Sequence, residues 1–127
     1  MASDLAKLTL ILAAANGLLA VCLGAFGAHG LKNKISANLL SAYETAVQYH
    51  FYHTFALLAI AILMFQFGAK TTLQLSSASF VIGIVLFSGS LYAMALGGLT
   101  WLGPITPIGG LAFIGGWIML LWFAIKH

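Results

Sequence analysis

The sequence predicts an all-α integral membrane protein, an antiparallel bundle of four transmembrane helices, and three observations carry that expectation. Of its 127 residues 62% are hydrophobic and only 6% charged, too few polar side chains to cover a soluble domain of this size. The apolar residues fall into four runs, each able to cross a hydrocarbon core about 30 Å thick at about 1.5 Å per helical residue. Short polar or turn-rich links join them, so sequence neighbours are expected to pack antiparallel in a single domain covering residues 1–127.

The first run, Leu5 to Phe26, has 22 residues and spans the bilayer. A secretory signal peptide is the competing reading, because Ala25-Phe26-Gly27 loosely resembles a cleavage site; the run, however, exceeds the about 7–15 residues of an h-region and its n-region carries only Lys7. Ala13, Gly17, Ala20, Gly24 and Ala28 place small residues along one face, where a neighbouring backbone can approach. Asn16 lies near mid-span and must point inward to find a partner. Cys22, the single cysteine, reads as a small hydrophobe; valine before it argues against a lipoprotein site.

Gly27 to Leu40 has loop chemistry, with Lys32 and Lys34 reaching headgroups or water. Ser41 and Glu44 match a Ser-x-x-Glu capping box, although Leu39, Leu40, Tyr43 and Val47 at helical spacing also allow a start at Ser36. The second span is expected over 45–67. Gly68 to Thr72 forms a polar link, and the third span, 76–99, carries Ser79, Gly83, Ser90 and Gly97 on one face. Gly97-Gly98 ends it, and Thr100 to Pro107 is a tight turn leading into the fourth span, 107–125. Gly109, Ala112 and Gly116 form the small face of that span, while Trp117, Trp122 and Lys126 suit a membrane interface. Gly17, Gly24, Gly83, Gly97 and Gly116 are therefore the expected helix-packing glycines.

Candidate chemistry concentrates in one half of the membrane. Counting inward puts Asn16 level with His53 and Thr54, with Ser88 and Ser90 at a similar depth; Glu44, Gln48, His50 and His29 lie nearer the surface. Helical phase splits the patch, since Glu44, Gln48 and Tyr52 share one side of their helix and Ala46, His50 and His53 the other. Two histidines at i, i+3 are short of a metal site, and ordinary hydrogen bonding near a helix mouth explains them equally; neither metal nor cofactor is expected. His53 is expected to face the bundle and bond to helix one or helix three, through Asn16, Ser88 or Ser90. No nucleophile is paired with a base, so no enzyme activity is expected. Five lysines, no arginine and a net charge of +3 make no basic stripe, which excludes nucleic acid as a partner.

Four stretches carry a family resemblance: Gly24-Ala25-Phe26-Gly27-Ala28-His29-Gly30-Leu31, Glu44-Thr45-Ala46-Val47-Gln48-Tyr49-His50-Phe51-Tyr52-His53, Leu86-Phe87-Ser88-Gly89-Ser90-Leu91-Tyr92 and Ile105-Thr106-Pro107-Ile108-Gly109-Gly110. In this order they resemble a family of small bacterial inner-membrane proteins catalogued as a domain of unknown function, with YgdD-like and YwdK-like members and a eukaryotic transmembrane relative. The resemblance implies a four-helix protein of the bacterial inner membrane with no established activity. Lys7, Lys70 and Lys126 on one side against Lys32 and Lys34 on the other put both termini in the cytoplasm.

The function expected is that of a structural or accessory protein, packing by its small-residue faces in the lipid bilayer against further copies of itself or a larger membrane complex. The alternative is a small-solute or proton pathway formed by an oligomer, using Glu44, His50 and His53.

Overall fold

The computed structural model describes residues 2–127, with side chains from Asp4 onward. Helix α1 (Ala2–Phe26) runs into a π-helical turn, Gly27–Leu31; α2 (Ala37–Phe67) follows, then α3 (Thr71–Gly83), a second π turn (Ile84–Ser88) and α4 (Gly89–Gly97) as one continuous rod. A 3₁₀ turn, Thr100–Leu102, leads to α5 (Ile105–Lys126). Four stretches, Asp4–Leu31, Ala37–Phe67, Thr71–Gly97 and Thr100–Lys126, are long and apolar enough to cross a membrane. The chain is a bundle of four transmembrane helices.

Local chemistry explains where the helices stop. The Ser36 hydroxyl caps α2 by accepting from the Leu39 N–H at 3.2 Å. The capping box expected of Ser41 and Glu44 does not form, because both residues already lie inside the helix and Glu44 is exposed. At the far end Gly68, with φ +87°, turns the chain out of α2 while its N–H closes on the Met64 carbonyl. Gly98 ends α4 in the left-handed conformation, and Pro104 and Pro107 bracket the entry to α5, where a missing N–H costs no helical bond.

Helix α2 is the centre of the bundle, with α1 on one side, α3 and α4 on another, and α5 packed mainly on α3 and the second π turn. Burial follows this order: 44% of the most apolar stretch of the second span is buried, against 17% for the first and 22% for the fourth. One apolar cluster, around Leu57, Ile60, Met64, Phe80 and Phe113, fills the half nearest the termini; a smaller one, Leu31, Tyr43 and Ala95, closes the other end. Thr9 reaches the Met64 sulfur at 3.5 Å and Phe123 packs edge-on to Phe67 at 5.7 Å, so both ends of the chain lie beside the C-terminal end of α2.

The glycines differ in how much space they provide. A Cβ on Gly83 or Gly116 would come within 2.5 Å of the rings of Phe113 and Phe80 respectively, and one on Gly24 would lie 3.3 Å from Val47. At Gly17 the nearest neighbour, Thr54, is at an ordinary 3.6 Å. Gly97 is exposed and faces only Leu99 of its own chain, so it is not a helix-packing residue as expected; it ends α4 beside the turn. The least forgiving approach is at Gly109, where a Cβ would run into the Phe87 backbone nitrogen and lie 2.8 Å from the Leu86 carbonyl carbon and the Phe87 Cα. These are backbone atoms of the second π turn, which cannot swing aside as a ring can.

Gly109→Ala should therefore lower stability in detergent by about 3 kcal/mol, at the upper end of overpacking costs, whereas Gly97→Ala should stay within about 0.5 kcal/mol of the parent. Thermal or denaturant unfolding of the two variants side by side checks this; equal stabilities would rule out the backbone contact as the reason for glycine.

Candidate functional site

Two polar ties cross the interior, and each is built on a histidine of α2. His50 is 1% exposed, and its ring lies between α1 and α4. Its Nε2 is 2.9 Å from the Asn16 amide oxygen and its Nδ1 is 2.9 Å from the Tyr92 hydroxyl. The orientation of Asn16 is fixed because its NH₂ donates to the Leu12 carbonyl at 2.8 Å, which turns the amide oxygen towards His50. Nε2–H therefore donates to Asn16, and Nδ1 accepts from Tyr92. Tyr92 packs edge-on to Tyr43 at 5.3 Å, and the Tyr43 hydroxyl donates to the Leu23 carbonyl, so a second bond joins α1 to α2 about two turns further out.

One helical turn along, His53 faces α5 and is 4% exposed. Its Nδ1 lies 2.8 Å from the Tyr49 carbonyl and must donate to it, while Nε2 accepts the Trp117 indole N–H at 3.1 Å. The imidazole stacks on Phe113 with centroids 3.5 Å apart and planes within 6°. A carbonyl only accepts and an indole N–H only donates, so this pattern admits the neutral ring with its proton on Nδ1 and no other form. His53 does face the bundle, but its partner is α5 rather than helix one or helix three.

The remaining expected residues do not join one site. Ser88 donates to the Ala46 carbonyl at 2.8 Å from the second π turn, and Ser90 pairs with Thr106 at 2.6 Å and the Phe87 carbonyl at 2.9 Å. Both serines tie helices together, and neither bonds to a histidine. Glu44, Gln48 and His29 are exposed on the outer surface, so the cluster expected of His29, Glu44, Gln48, His50, His53, Asn16, Ser88 and Ser90 resolves into separate bonds. Among the described residues no three of His, Cys, Asp and Glu come together at one point.

Tyr92 and Trp117 complete both ties, and neither was among the candidate site residues expected from the sequence. Tyr92 closes the third family-like stretch, the only signal that pointed to it. Trp117 was expected at the membrane interface; instead its indole N–H is drawn inward by His53, and the interface role falls to Trp122, whose ring lies 5.3 Å from the Lys126 ammonium.

Residues 23–110 match the family described as "Protein of unknown function (DUF423)". Relatives include the UPF0382 membrane protein YwdK of Bacillus subtilis, 46% identical over 121 residues that make up 95% of this chain and 98% of that one. UPF0382 membrane proteins of Staphylococcus epidermidis and Haemophilus influenzae are 43% and 44% identical, covering 94% and 92% of this chain and 97% and 93% of theirs. No solved structure matches. The matched region contains all four of the stretches on which the resemblance rests, and hence His50, His53, Ser88, Tyr92 and Gly109.

A double-mutant cycle of Asn16→Ala and His50→Ala should give a coupling energy of about 0.6–1.7 kcal/mol, the range of interhelical hydrogen bonds inside membranes. His53→Ala should cost about 1–3 kcal/mol and Trp117→Phe about 1 kcal/mol, since each leaves a buried polar atom unpaired. Equilibrium unfolding in mixed micelles measures all of these; additive effects at Asn16 and His50 would mean that the bond contributes nothing.

Proposed function

Because the chain belongs to the DUF423 family of membrane proteins, whose name carries no enzymatic activity, we propose that it acts as a structural or accessory protein of the membrane, a rigid four-helix element that packs against further copies of itself or a larger membrane complex. One observation carries this reading: every nitrogen of the two buried histidines is bonded to a neighbouring group, so the polar residues in the interior bind helices to one another. Lone pairs used in this way are not offered to a metal or a passing solute. The bacterial hosts of its relatives and the lysine distribution support an inner-membrane setting with both termini in the cytoplasm.

The alternative, a proton pathway in an oligomer, keeps one specific observation in its favour. Both neighbours of His50 are able to accept, the Asn16 amide as it stands and the Tyr92 hydroxyl after rotating, so His50 can gain a proton without losing either contact. Glu44 and His53, the other residues of that pathway, do not connect to it: Glu44 lies on the outside and His53 is committed to Trp117.

Reconstitution of the purified protein into liposomes containing a pH-sensitive dye separates the two readings. The accessory reading expects proton flux no faster than in empty vesicles, together with native-membrane crosslinks heavier than one chain. Flux above background that disappears in His50→Gln, with unchanged melting, would establish the pathway instead.

A further inference from the structure

Beyond that reading, the seam between α1 and α2 carries two opposite charges at the level of the headgroups. Lys32 follows directly on the first membrane-crossing stretch, Asp4–Leu31, and Glu44 directly precedes the apolar run 45–67. The stretch Ala37–Phe67 has 31 residues, about 46 Å of helix, and so exceeds a hydrocarbon core of about 30 Å. Asn38, Ser41 and Glu44 place the excess at its start, where the first turns of α2 stand among headgroups.

Lys32 and Glu44 line one concavity of about 260 Å³, together with Gly27, Ala28 and Leu40. Among the described residues the two charges form no ion pair with each other. A second hollow of about 210 Å³ shares Gly27, Ala28 and Glu44 with the first and adds Gly24, Tyr43 and Val47. Gly24 and Val47 lie one turn further into the membrane than Gly27 and Glu44, so the seam is charged at its mouth and deepens inward. The Tyr43 hydroxyl is already donated to the Leu23 carbonyl, which leaves the walls beyond Glu44 apolar.

A cation and an anion at the mouth of an apolar hollow complement an amphiphile whose head carries both signs. A phospholipid with a polyol head would bring only an anion towards Glu44. A quaternary ammonium supplies the cation but has no N–H to donate, whereas a primary ammonium has three donors for a carboxylate. We propose that the α1–α2 seam binds one phosphatidylethanolamine, whose phosphate meets Lys32, whose ammonium donates to Glu44 and whose glycerol end enters the hollow between Gly24 and Val47.

The test uses the full chain in dodecyl maltoside, titrated with dioleoyl phosphatidylethanolamine, phosphatidylcholine or phosphatidylglycerol and read by native mass spectrometry. Phosphatidylethanolamine should saturate at one per chain and bind about five-fold tighter than the other two, the upper end for an exposed ion pair. Glu44→Gln should bring the ethanolamine lipid down to the level of the choline lipid. Lys32→Gln should weaken both of these equally, and both variants should melt like the parent in lipid-free detergent. Equal binding of the three lipids, or a preference that survives Glu44→Gln, would overturn the proposal. So would soluble phosphoethanolamine binding as tightly as the lipid, which would assign the charges to a free solute. A lipid-free dimer lost in Glu44→Gln would likewise overturn it in favour of a second copy, and a lower melting temperature of both variants without lipid would make Lys32 and Glu44 a pair within the chain.

Discussion

The bond network of His50 is the constraint on which the bundle depends. In water, burying apolar surface would hold four such helices together, but lipid tails are as apolar as the helix faces and supply no comparable drive. Association must then come from close packing and from polar groups that have no better partner. His50 meets that condition twice, because one ring joins α1 through Asn16 and α4 through Tyr92. It lies between the two apolar clusters, so neither half of the bundle can slide along α2 without breaking it. Comparable ties recur around the bundle: Trp117 to His53 between α5 and α2, Ser76 to the Gly116 carbonyl between α3 and α5, and Ser90 to Thr106 between α4 and α5.

The second π turn and Gly109 show how packing and hydrogen bonding support each other. Widening the helix over Ile84–Ser88 brings the backbone of Leu86 and Phe87 against Gly109 on one side, while the Ser88 hydroxyl reaches the Ala46 carbonyl of α2 on the other. A regular α-helix through this stretch would rotate the following residues by a fraction of a turn and carry Tyr92 away from His50. The turn thus aligns α4 with α2 at the same time as it docks α5. Gly83 and Gly116 serve the same α3–α5 contact by making room for Phe113 and Phe80, whose side chains have some freedom to shift; Gly109 meets main chain, which has none.

Four apolar runs and their antiparallel order were legible in the sequence because membrane thickness sets a minimum length and short links set the direction; the helical stretches run further than the apolar runs, as Ala37–Phe67 does against the expected 45–67. The small-residue faces were legible too, as periodicity, although periodicity could not separate Gly97, which faces only the adjoining turn, from Gly109, which faces the backbone of another helix. Which polar residues meet was less accessible. Depth arithmetic placed Asn16 level with His53, but a helix advances only about 4.5 Å over three residues, less than the reach of an asparagine and a histidine together. Azimuth therefore decides, and it selects His50. The capping box at Ser41 and Glu44 failed for a related reason: the motif is short, and the stronger determinant was the continuing apolar face from Leu39 and Leu40, which carries the helix back to Ser36.

Three residues apart on one helix, His50 and His53 acquire opposite chemistry from their neighbours. The indole N–H on His53 can only donate, so that ring is fixed in one neutral form and its role is to hold α5. On His50 the amide oxygen and the hydroxyl leave the ring free to be neutral or charged, and the Tyr92 hydroxyl has only to rotate between the two states. A sequence-level count of two buried histidines would treat them as equivalent. What distinguishes them is whether each partner can reverse the direction of its hydrogen bond, and on that criterion His50 alone is suited to a change of protonation, while His53 stays a fixed tie to α5.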